Sequence, residues 1–313
     1  MGNLTVSTSP HIRSAVTTQS IMRDVLIALV PATVAAVVLF GLRALLLVVV
    51  SVATCVLGEF LFNLICKKQQ TIGDLSAVVT GVILALNLNA KVTVWQMIVG
   101  ALFAIVVVKC FFGGIGCNFA NPAATARVFL AISFAEVGAQ VPTVYTDLVA
   151  GATPLGNLAS GSELPSLVDM LIGNRGGSLG ETCAIAILLG FVYLVVRRVI
   201  KWQVPAVFVA TVFVLSWIFT KDFTMALYYV LSGGLLFGAV FMATDYVTTP
   251  IRTSGRMIFA LGAGVLTVLI RFFGSYPEGV SFAILLMNIL APYIEKWCTR
   301  KPLGKAGKKN EKV

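Results

Sequence analysis

The sequence predicts an all-α polytopic membrane protein with about ten transmembrane helices in two inverted five-helix repeats. Composition is the first observation: 58% of the 313 residues are hydrophobic and 12% are charged, whereas soluble domains have roughly a quarter charged residues. The second is a series of ten apolar segments, and the third is the polar stretch 135–181, which leaves five segments on each side. With an odd number of spans in each half, repeated halves face opposite ways across the membrane.

The first segment is predicted to be a transmembrane helix and not a cleaved signal peptide. Residues 1–20 are polar, and segment 21–40 is about as long as a full span needs. The ten segments are 21–40, 44–66, 76–88, 94–108, 123–134, 182–196, 205–219, 225–243, 257–270 and 280–294. Segments 76–88 and 123–134 are well below the ~20 residues of a straight span. Such segments are typical of broken or half-depth helices beside a binding site; the alternative is a short helix extended by polar end residues.

Basic residues predict the orientation. With the N-terminus inside, eighteen of the 23 Lys and Arg residues fall on the inner side and five on the outer side, as the positive-inside rule requires. The predicted divisions are a cytoplasmic segment 1–20, a first repeat 21–134, an extracytoplasmic loop 135–181, a second repeat 182–298 and a basic cytoplasmic tail 299–313. The net charge of +10 mostly reflects this bias and a tail near anionic lipid, so no nucleic-acid partner is expected.

The loop 135–181 contains a threonine with two very small residues before it. Asp147 is followed by Gly151, Ala152, Thr153 and Pro154. Long polar loops in compact proteins are usually functional, and a hydroxyl in this position is open to a modifying enzyme and to a bulky group. A plain turn before an apolar segment is the alternative.

A glycine-rich stretch precedes the fifth segment. Gly113, Gly114 and Gly116 permit a ligand to approach the backbone closely. Asn118 and Asn121 supply amide donors and acceptors of the kind that the edge of a flavin or quinone requires. Capping of the next helix by Asn121, with Pro122 in its first turn, is the alternative for these two residues, but it leaves the three glycines unexplained.

The eighth segment repeats the small-residue character of the third, since Ser232–Thr244 resembles Ser76–Ala85. Ser232 and Asp245 are candidates for a non-covalent flavin site, together with the Gly113–Pro122 stretch. The glycines at 233, 234 and 238 serve equally well for helix packing. Asp245 and Glu59 are the acids expected at membrane depth, and both are therefore candidates for ion coupling. Alternatively, Asp245 caps a turn and Glu59 pairs with a basic residue.

Metal and haem chemistry have no support in the sequence. The six cysteines, at 55, 66, 110, 117, 183 and 298, include no pair with the spacing of metal ligands, and His11 is the only histidine. Cysteines in apolar spans usually act as small hydrophobic residues. No metal is therefore expected.

Several long motifs in order give a specific resemblance to a known family over nearly all of residues 1–298. They are Ser9–His11, Gly113–Ala123, Asp147–Pro154, Gly176–Thr182, Met242–Pro250 and Tyr276–Ala283. The chain resembles the NqrB/RnfD family, the large membrane subunits of the Rnf complex and, more distantly, of the sodium-pumping NADH:quinone reductase.

The resemblance implies cofactors and a fold. A flavin transferase of such systems joins FMN by a phosphoester to the last threonine of a Ser/Thr-Gly-Ala-Thr motif, which corresponds to Thr153. Riboflavin, or another second, non-covalent flavin, is also implied, and the fold is similar to the urea-transporter type. The sequence departs from the pattern at one position, because Ala150 stands where the motif has Ser or Thr.

The resemblance also implies an activity. The expected function is a flavin-carrying subunit of a complex that couples electron transfer between ferredoxin and NAD to translocation of Na+ or H+ across the bacterial inner membrane. The expected partners are Rnf subunits of the A, B, C, E and G types, above all the FMN-carrying G subunit, together with the flavin transferase and membrane lipid. The alternative is an autonomous urea-transporter-like channel or carrier for a small polar solute, which rests on the fold alone.

Overall fold

The computed structural model describes residues 16–134, 141–142, 150–151, 154–160, 164–274 and 278–299. Most of this part of the chain is helical. The helices are α1 Thr18–Phe40, α2 Leu42–Ile65, α3 Ser76–Leu86, α4 Val94–Leu102, α5 Pro122–Ser133, α6 Pro154–Ser160, α7 Leu167–Ile172, α8 Ala184–Val196, α9 Gln203–Thr220, α10 Phe223–Leu231, α11 Leu235–Phe237, α12 Thr253–Phe273 and α13 Val280–Cys298. Two residues each of β1 (Val141–Pro142) and β2 (Ala150–Gly151) pair antiparallel.

The helices account for all ten apolar segments. Within the described residues, five helices (α1, α2, α9, α12 and α13) are long and apolar enough to cross a membrane, and the bent pair formed by α10 and residues 235–242 makes a sixth candidate. Four shorter apolar helices coincide with segments 76–88, 94–108, 123–134 and 182–196. The all-α, multi-pass character is therefore confirmed, apart from the small β pair.

Two α-helical stretches continue as π-helices. The helix that begins as α4 runs on as a π-helix from Phe103 to Cys110, so it ends two residues beyond the predicted segment and includes Lys109. Residues Gly238–Met242 form a second π-helix directly after α11. Helix α12 likewise extends past its predicted end and includes Arg271. The sequence pattern placed both basic residues outside the helices, because the segment bounds followed the last apolar residues.

Local signals explain where α5 begins. The Asn121 side chain accepts hydrogen bonds from the backbone N–H groups of Ala123 and Ala124, and Pro122 occupies the first helical position. These bonds satisfy N–H groups that have no partner within the helix. The predicted cap is confirmed. With only 12 residues, α5 spans about 18 Å at 1.5 Å per residue, well short of a ~30 Å hydrocarbon core.

Helices α2 and α3 pack backbone against backbone. A Cβ atom on Gly81 would lie 2.8 Å from the Cα atom of Val52, so only glycine permits this approach. The Ser51 hydroxyl donates to the Gly81 carbonyl oxygen at 2.8 Å. Small residues and interhelical hydrogen bonds are the usual means of holding membrane helices together. This contact fixes the middle of α3 against the middle of α2.

Candidate functional site

The eighth apolar segment is interrupted in its middle. Helix α10 ends at Leu231, and the chain turns by 61° before residues 235–242 continue. Gly233 and Gly234 both have a φ of +66° at the turn. A helix that stops inside a membrane leaves carbonyl groups without partners, and each such group costs several kcal/mol in an apolar medium.

Two arginines supply the missing donors. The Arg271 guanidinium on α12 donates to the carbonyl oxygens of Tyr229, Ser232 and Gly233, at 2.5, 3.0 and 3.2 Å. Arg175 donates to the Leu231 carbonyl oxygen at 2.6 Å. The interruption of the helix is therefore stabilised by two arginine side chains that donate hydrogen bonds to its free carbonyl groups.

A third arginine, which is buried, joins the two halves of the chain. Arg127 on α5 donates to Asn87 Oδ1 at the end of α3, at 3.1 Å, and it forms an ion pair with Glu278, just before α13. It also reaches the Ser178 hydroxyl at 3.4 Å. Because Arg127 is only 9% exposed, these partners are what make its charge tolerable in the interior.

Glu181 lies between the arginines and the break. Its side chain is buried, and its Oε2 atom has no hydrogen-bond partner among the described residues. A Cβ atom on Gly234 would lie 2.7 Å from that oxygen. Arg127 Nη1 and Arg271 Nη2 would lie 3.5 Å and 2.8 Å from Cβ atoms on Gly234 and Gly233. Arg175 donates to the Glu181 carbonyl oxygen at 2.9 Å. Glu181 is therefore an acidic group placed among three arginines.

A cavity lies between the two halves, at the C-terminal end of the second π-helix. Its walls are mostly apolar side chains of α1, α3, α8 and that π-helix, with a small number of polar groups. The polar and charged groups include Lys109, Asn118, Asn121 and Asp245. Ligand sites commonly combine apolar walls with a few polar groups in this way. The donor set suits a flat aromatic ring with polar edges, as the expected flavin has.

The cavity gathers three of the seven residues that the sequence singled out for a second flavin, and Gly113, Gly114, Gly116 and Ser232 are not among its lining residues. Asn118, Asn121 and Asp245 line it, and Ile115 brings the glycine loop to its edge. Gly113, Gly114 and Gly116 adopt positive φ angles of 118°, 96° and 90° in that loop. Ser232 does not belong to this group, because it lies at the helix break, fully buried, and its hydroxyl has no partner in the described part of the chain.

Asn121 and Asp245 have structural roles in addition to lining the cavity. The Asn121 side-chain amide donates to the Met242 carbonyl oxygen at 3.5 Å. Asp245 accepts from the Val247 N–H at 3.4 Å and from the Thr248 hydroxyl at 3.2 Å, so it does cap its turn. Burial raises the pKa of the Asp245 carboxyl, in the turn after the π-helix, and these two hydrogen bonds oppose the shift.

Glu59 pairs within the same chain. The Lys109 ammonium lies 2.8 Å from Glu59 Oε2 and 2.6 Å from the Ser76 hydroxyl. The Thr71 hydroxyl donates to the other oxygen of Glu59, and Asn63 donates to Thr71. Lys109 and Glu59 are 3% and 1% exposed. Both members of the pair are therefore buried and hydrogen-bonded to further groups, and of the two only Lys109 reaches the cavity.

The motif around Thr153 is described only in part. Asp147, Ala152 and Thr153 lie outside the described residues. Gly151 belongs to β2, and the buried Pro154 begins α6. Leu155, the next residue, packs against Gly233 at the helix break.

Sequence reasoning missed the cations that lie buried or half-buried among the helices. From the sequence, Lys109, Arg127 and Arg271 contributed only to the predicted orientation. A signal was available, because Arg127 falls inside an apolar segment and Lys109 directly follows one. An ionisable residue within a span is a functional candidate whatever its sign.

Comparison with known proteins gives consistent matches over nearly the whole chain. The sequence model of the NQR2, RnfD, RnfE family matches residues 5–304. The chain is 43% identical over 309 residues to the D subunit of the Na(+)-translocating ferredoxin:NAD(+) oxidoreductase complex of Acetobacterium woodii, with 96% of each chain covered. It is 38% identical over 313 residues to the D subunit of the proton-translocating complex of Clostridium ljungdahlii, with 94% of each covered. It is 33% identical over 305 residues to the D subunit of the ion-translocating oxidoreductase complex of Methanosarcina acetivorans, covering 97% of this chain and 98% of that protein.

Proposed function

Because the chain belongs to the NQR2, RnfD, RnfE family, we propose that it is the D-type subunit of a membrane complex that couples ferredoxin:NAD+ electron transfer to translocation of Na+ or H+. The observation that carries this proposal is the end-to-end match to relatives that bear this name. The buried charges at the helix break and beside the cavity support it, because ionisable groups at membrane depth mark ion or electron pathways.

The first cofactor of this proposal is FMN, attached through its phosphate to Thr153. Asp147, Gly151, Ala152 and Pro154 form the recognition motif. The flavin supplies one- and two-electron transfer, while the tether prevents its loss. Support comes from the sequence of the motif, and Ala150 is the one departure from it.

The second cofactor is a non-covalent flavin, riboflavin or FMN, in the cavity between the halves. Asn118 and Asn121 would present amide groups to its edge, and Lys109 and Asp245 would present charges. The lining of the cavity supports this assignment. Glu59 and Asp245 are the candidates for ion coupling.

The architecture of the proposal is ten spans in two inverted five-helix repeats, with both termini cytoplasmic and the 135–181 loop outside. The third apolar segment of each half supports the repeat, because in both halves it is not a straight full-length span. It is the short helix α3 in the first half and the broken α10–α11 segment in the second. The site between the halves is where such repeats place their ligands.

The proposed partners are the A, B, C, E and G subunits of the complex, the G subunit as the neighbouring flavin carrier, and the flavin transferase during maturation. The complex would reside in the bacterial inner membrane. A channel for a small polar solute remains the alternative function, but it rests on fold analogy alone.

The test is reconstitution of the complete complex in sealed vesicles. Reduced ferredoxin and NAD+ should produce NADH together with uptake of 22Na+ or acidification, and the two readouts identify the ion. Omitting this subunit should abolish both. Electron transfer and ion uptake that persist without it would contradict the proposal.

A further inference from the structure

We propose that Lys109 couples charge in the cavity to cation binding at Glu59. This inference rests on the proposed function, since it concerns how the same cavity is linked to ion movement. The Lys109 ammonium group lies 2.8 Å from Glu59 Oε2, and the same residue lines the cavity. Lys109 is the only Lys or Arg among the described residues that line the cavity.

The pair is electrically neutral as it stands. Lys109 balances Glu59, so Glu59 has little attraction for a second cation. Negative charge that enters the cavity competes for the same ammonium group, because opposite charges attract strongly in a poorly solvated interior. As Lys109 shifts its hydrogen bonds toward the cavity, Glu59 loses its counter-charge and becomes a cation-binding carboxylate.

Neighbouring groups make this exchange feasible. Ser76 accepts a hydrogen bond from Lys109 and donates its own to Asp74, so the ammonium retains a partner while it moves. Thr71 and Asn63 lie on the far side of Glu59 and offer oxygen atoms, the ligand type that hard cations prefer. Asp245 also lines the cavity, and a carboxylate there repels incoming negative charge. Lys109 is therefore the group that attracts that charge.

The charges balance. One electron enters the cavity from an electron-donating cofactor of a partner subunit, and one Na+ or H+ from solution joins Glu59. Lys109 keeps its proton throughout. The sum of charges around the pair is the same before and after, and this equality is what ties the two movements together.

The experiment is a redox titration of the assembled complex, following the absorbance of the releasable flavin. It is run in sodium chloride and in choline chloride at equal ionic strength, each at two pH values. For the wild type we expect the midpoint potential to rise with Na+. If the cation is a proton, we expect instead a pH dependence steeper than that of K109M/E59M, because a flavin ring takes up protons of its own when it is reduced. A response to Na+, or this excess pH dependence, supports the proposal and identifies the ion.

The decisive variant is K109M/E59M. It removes both charges together, which avoids leaving one buried charge unpaired, and such replacements are often neutral for stability. We expect a more negative potential, because the flavin has lost its cation, no response to Na+, and only the pH dependence of the flavin ring itself. K109R keeps the positive charge and should keep the response. D24N/R197M is the matched control, because it removes both charges of another ion pair, Asp24 with Arg197 at 3.3 Å, and neither residue lines the cavity; its titration should equal the wild type.

Three results are distinguishable. A flavin-loaded K109M/E59M complex with unchanged potential and unchanged cation response would overturn the inference and leave the proposed function intact. A wild-type complex that is active but releases no flavin would overturn the cavity assignment and this inference together. A complex without ferredoxin:NAD+ electron transfer would overturn the proposed function itself.

Discussion

Arg271 and Gly233 are 38 residues apart in the chain, yet the arginine Nη2 atom donates to the glycine carbonyl oxygen at 3.2 Å. An arginine on one membrane helix thus completes the backbone hydrogen bonding of another that has been interrupted. Arg271 serves Tyr229 and Ser232 in the same way. The irregular backbone at the break is stabilised by this side chain.

The first prediction is that Arg271→Leu destabilises the protein strongly. Four carbonyl oxygens, three at the break and that of Glu278, lose a charged donor, and each buried group left unsatisfied costs about 1–3 kcal/mol. We expect a large drop in the apparent Tm of the detergent-solubilised protein. Arg43→Leu is the control, because Arg43 is exposed and makes one long bond of 3.4 Å to the Lys91 carbonyl oxygen. Equal melting temperatures for the two variants would argue against the capping role of Arg271.

The second prediction concerns Gly234. An alanine there would adopt a left-handed backbone, at about 1–2 kcal/mol, and its Cβ would lie 2.7 Å from Glu181 Oε2. Gly114→Ala is a close control, because its φ is also positive but nothing lies within 4 Å of the added atom. We expect Gly234→Ala to lower the Tm further than Gly114→Ala, by the part that the contact with Glu181 adds. If Gly114→Ala lowers the Tm as much as Gly234→Ala or more, the Glu181 side chain moves away from the added Cβ atom without a cost in stability.

The third prediction is that Thr153→Ala abolishes covalent flavin, since its hydroxyl is the only protein atom that the phosphoester requires. Protein co-expressed with the flavin transferase and partner subunits is analysed by mass spectrometry of the peptide that contains residues 145–160. Thr146→Ala, in the same loop, should keep the flavin, whereas Gly151→Val should reduce it by obstructing access to the threonine.

Ala150 offers a gain-of-function test of the same motif. Ala150→Ser restores the hydroxyl that the family pattern has at this position, so flavin occupancy should equal or exceed that of the natural sequence. Unmodified Thr153 in fully assembled wild-type complex would rule out the attachment.

The fourth prediction concerns topology. A cysteine introduced as Ser160→Cys in a background without the six native cysteines should react with a membrane-impermeant maleimide in spheroplasts, because the loop 135–181 is expected outside. Lys305→Cys in the tail should react only after lysis. Protection of position 160 until lysis would reverse the proposed orientation.

Sequence patterns were sufficient for features that depend on neighbours along the chain. The apolar segments correspond to the helices, and Asn121 with Pro122 predicts the start of α5 because a cap is a contact across two or three residues. The short apolar segments 76–88 and 123–134 also predicted that α3 and α5 would be short.

Contacts between distant helices were not predictable in this way. Lys109 and Glu59 are fifty residues apart, and their meeting depends on how each helix is rotated about its axis. The π-helix at Phe103–Cys110 alters that rotation, and nothing in the apolar pattern marks it. The break at Ser232–Gly234 was ambiguous for the same reason, because glycines serve helix packing and helix interruption alike.

The π-helix before Lys109 has a consequence for how the chain tolerates changes in length. A π turn holds one more residue than an α turn closed by the i to i+4 bond, so the stretch carries surplus chain. Removing Val107 would let the stretch relax to an α-helix while Lys109 kept its direction toward Glu59. Removing a residue such as Ala53 from α2 has no such outlet, and every side chain beyond it would turn by about 100°. Homologous chains should therefore gain or lose single residues at 103–108 far more readily than within α2.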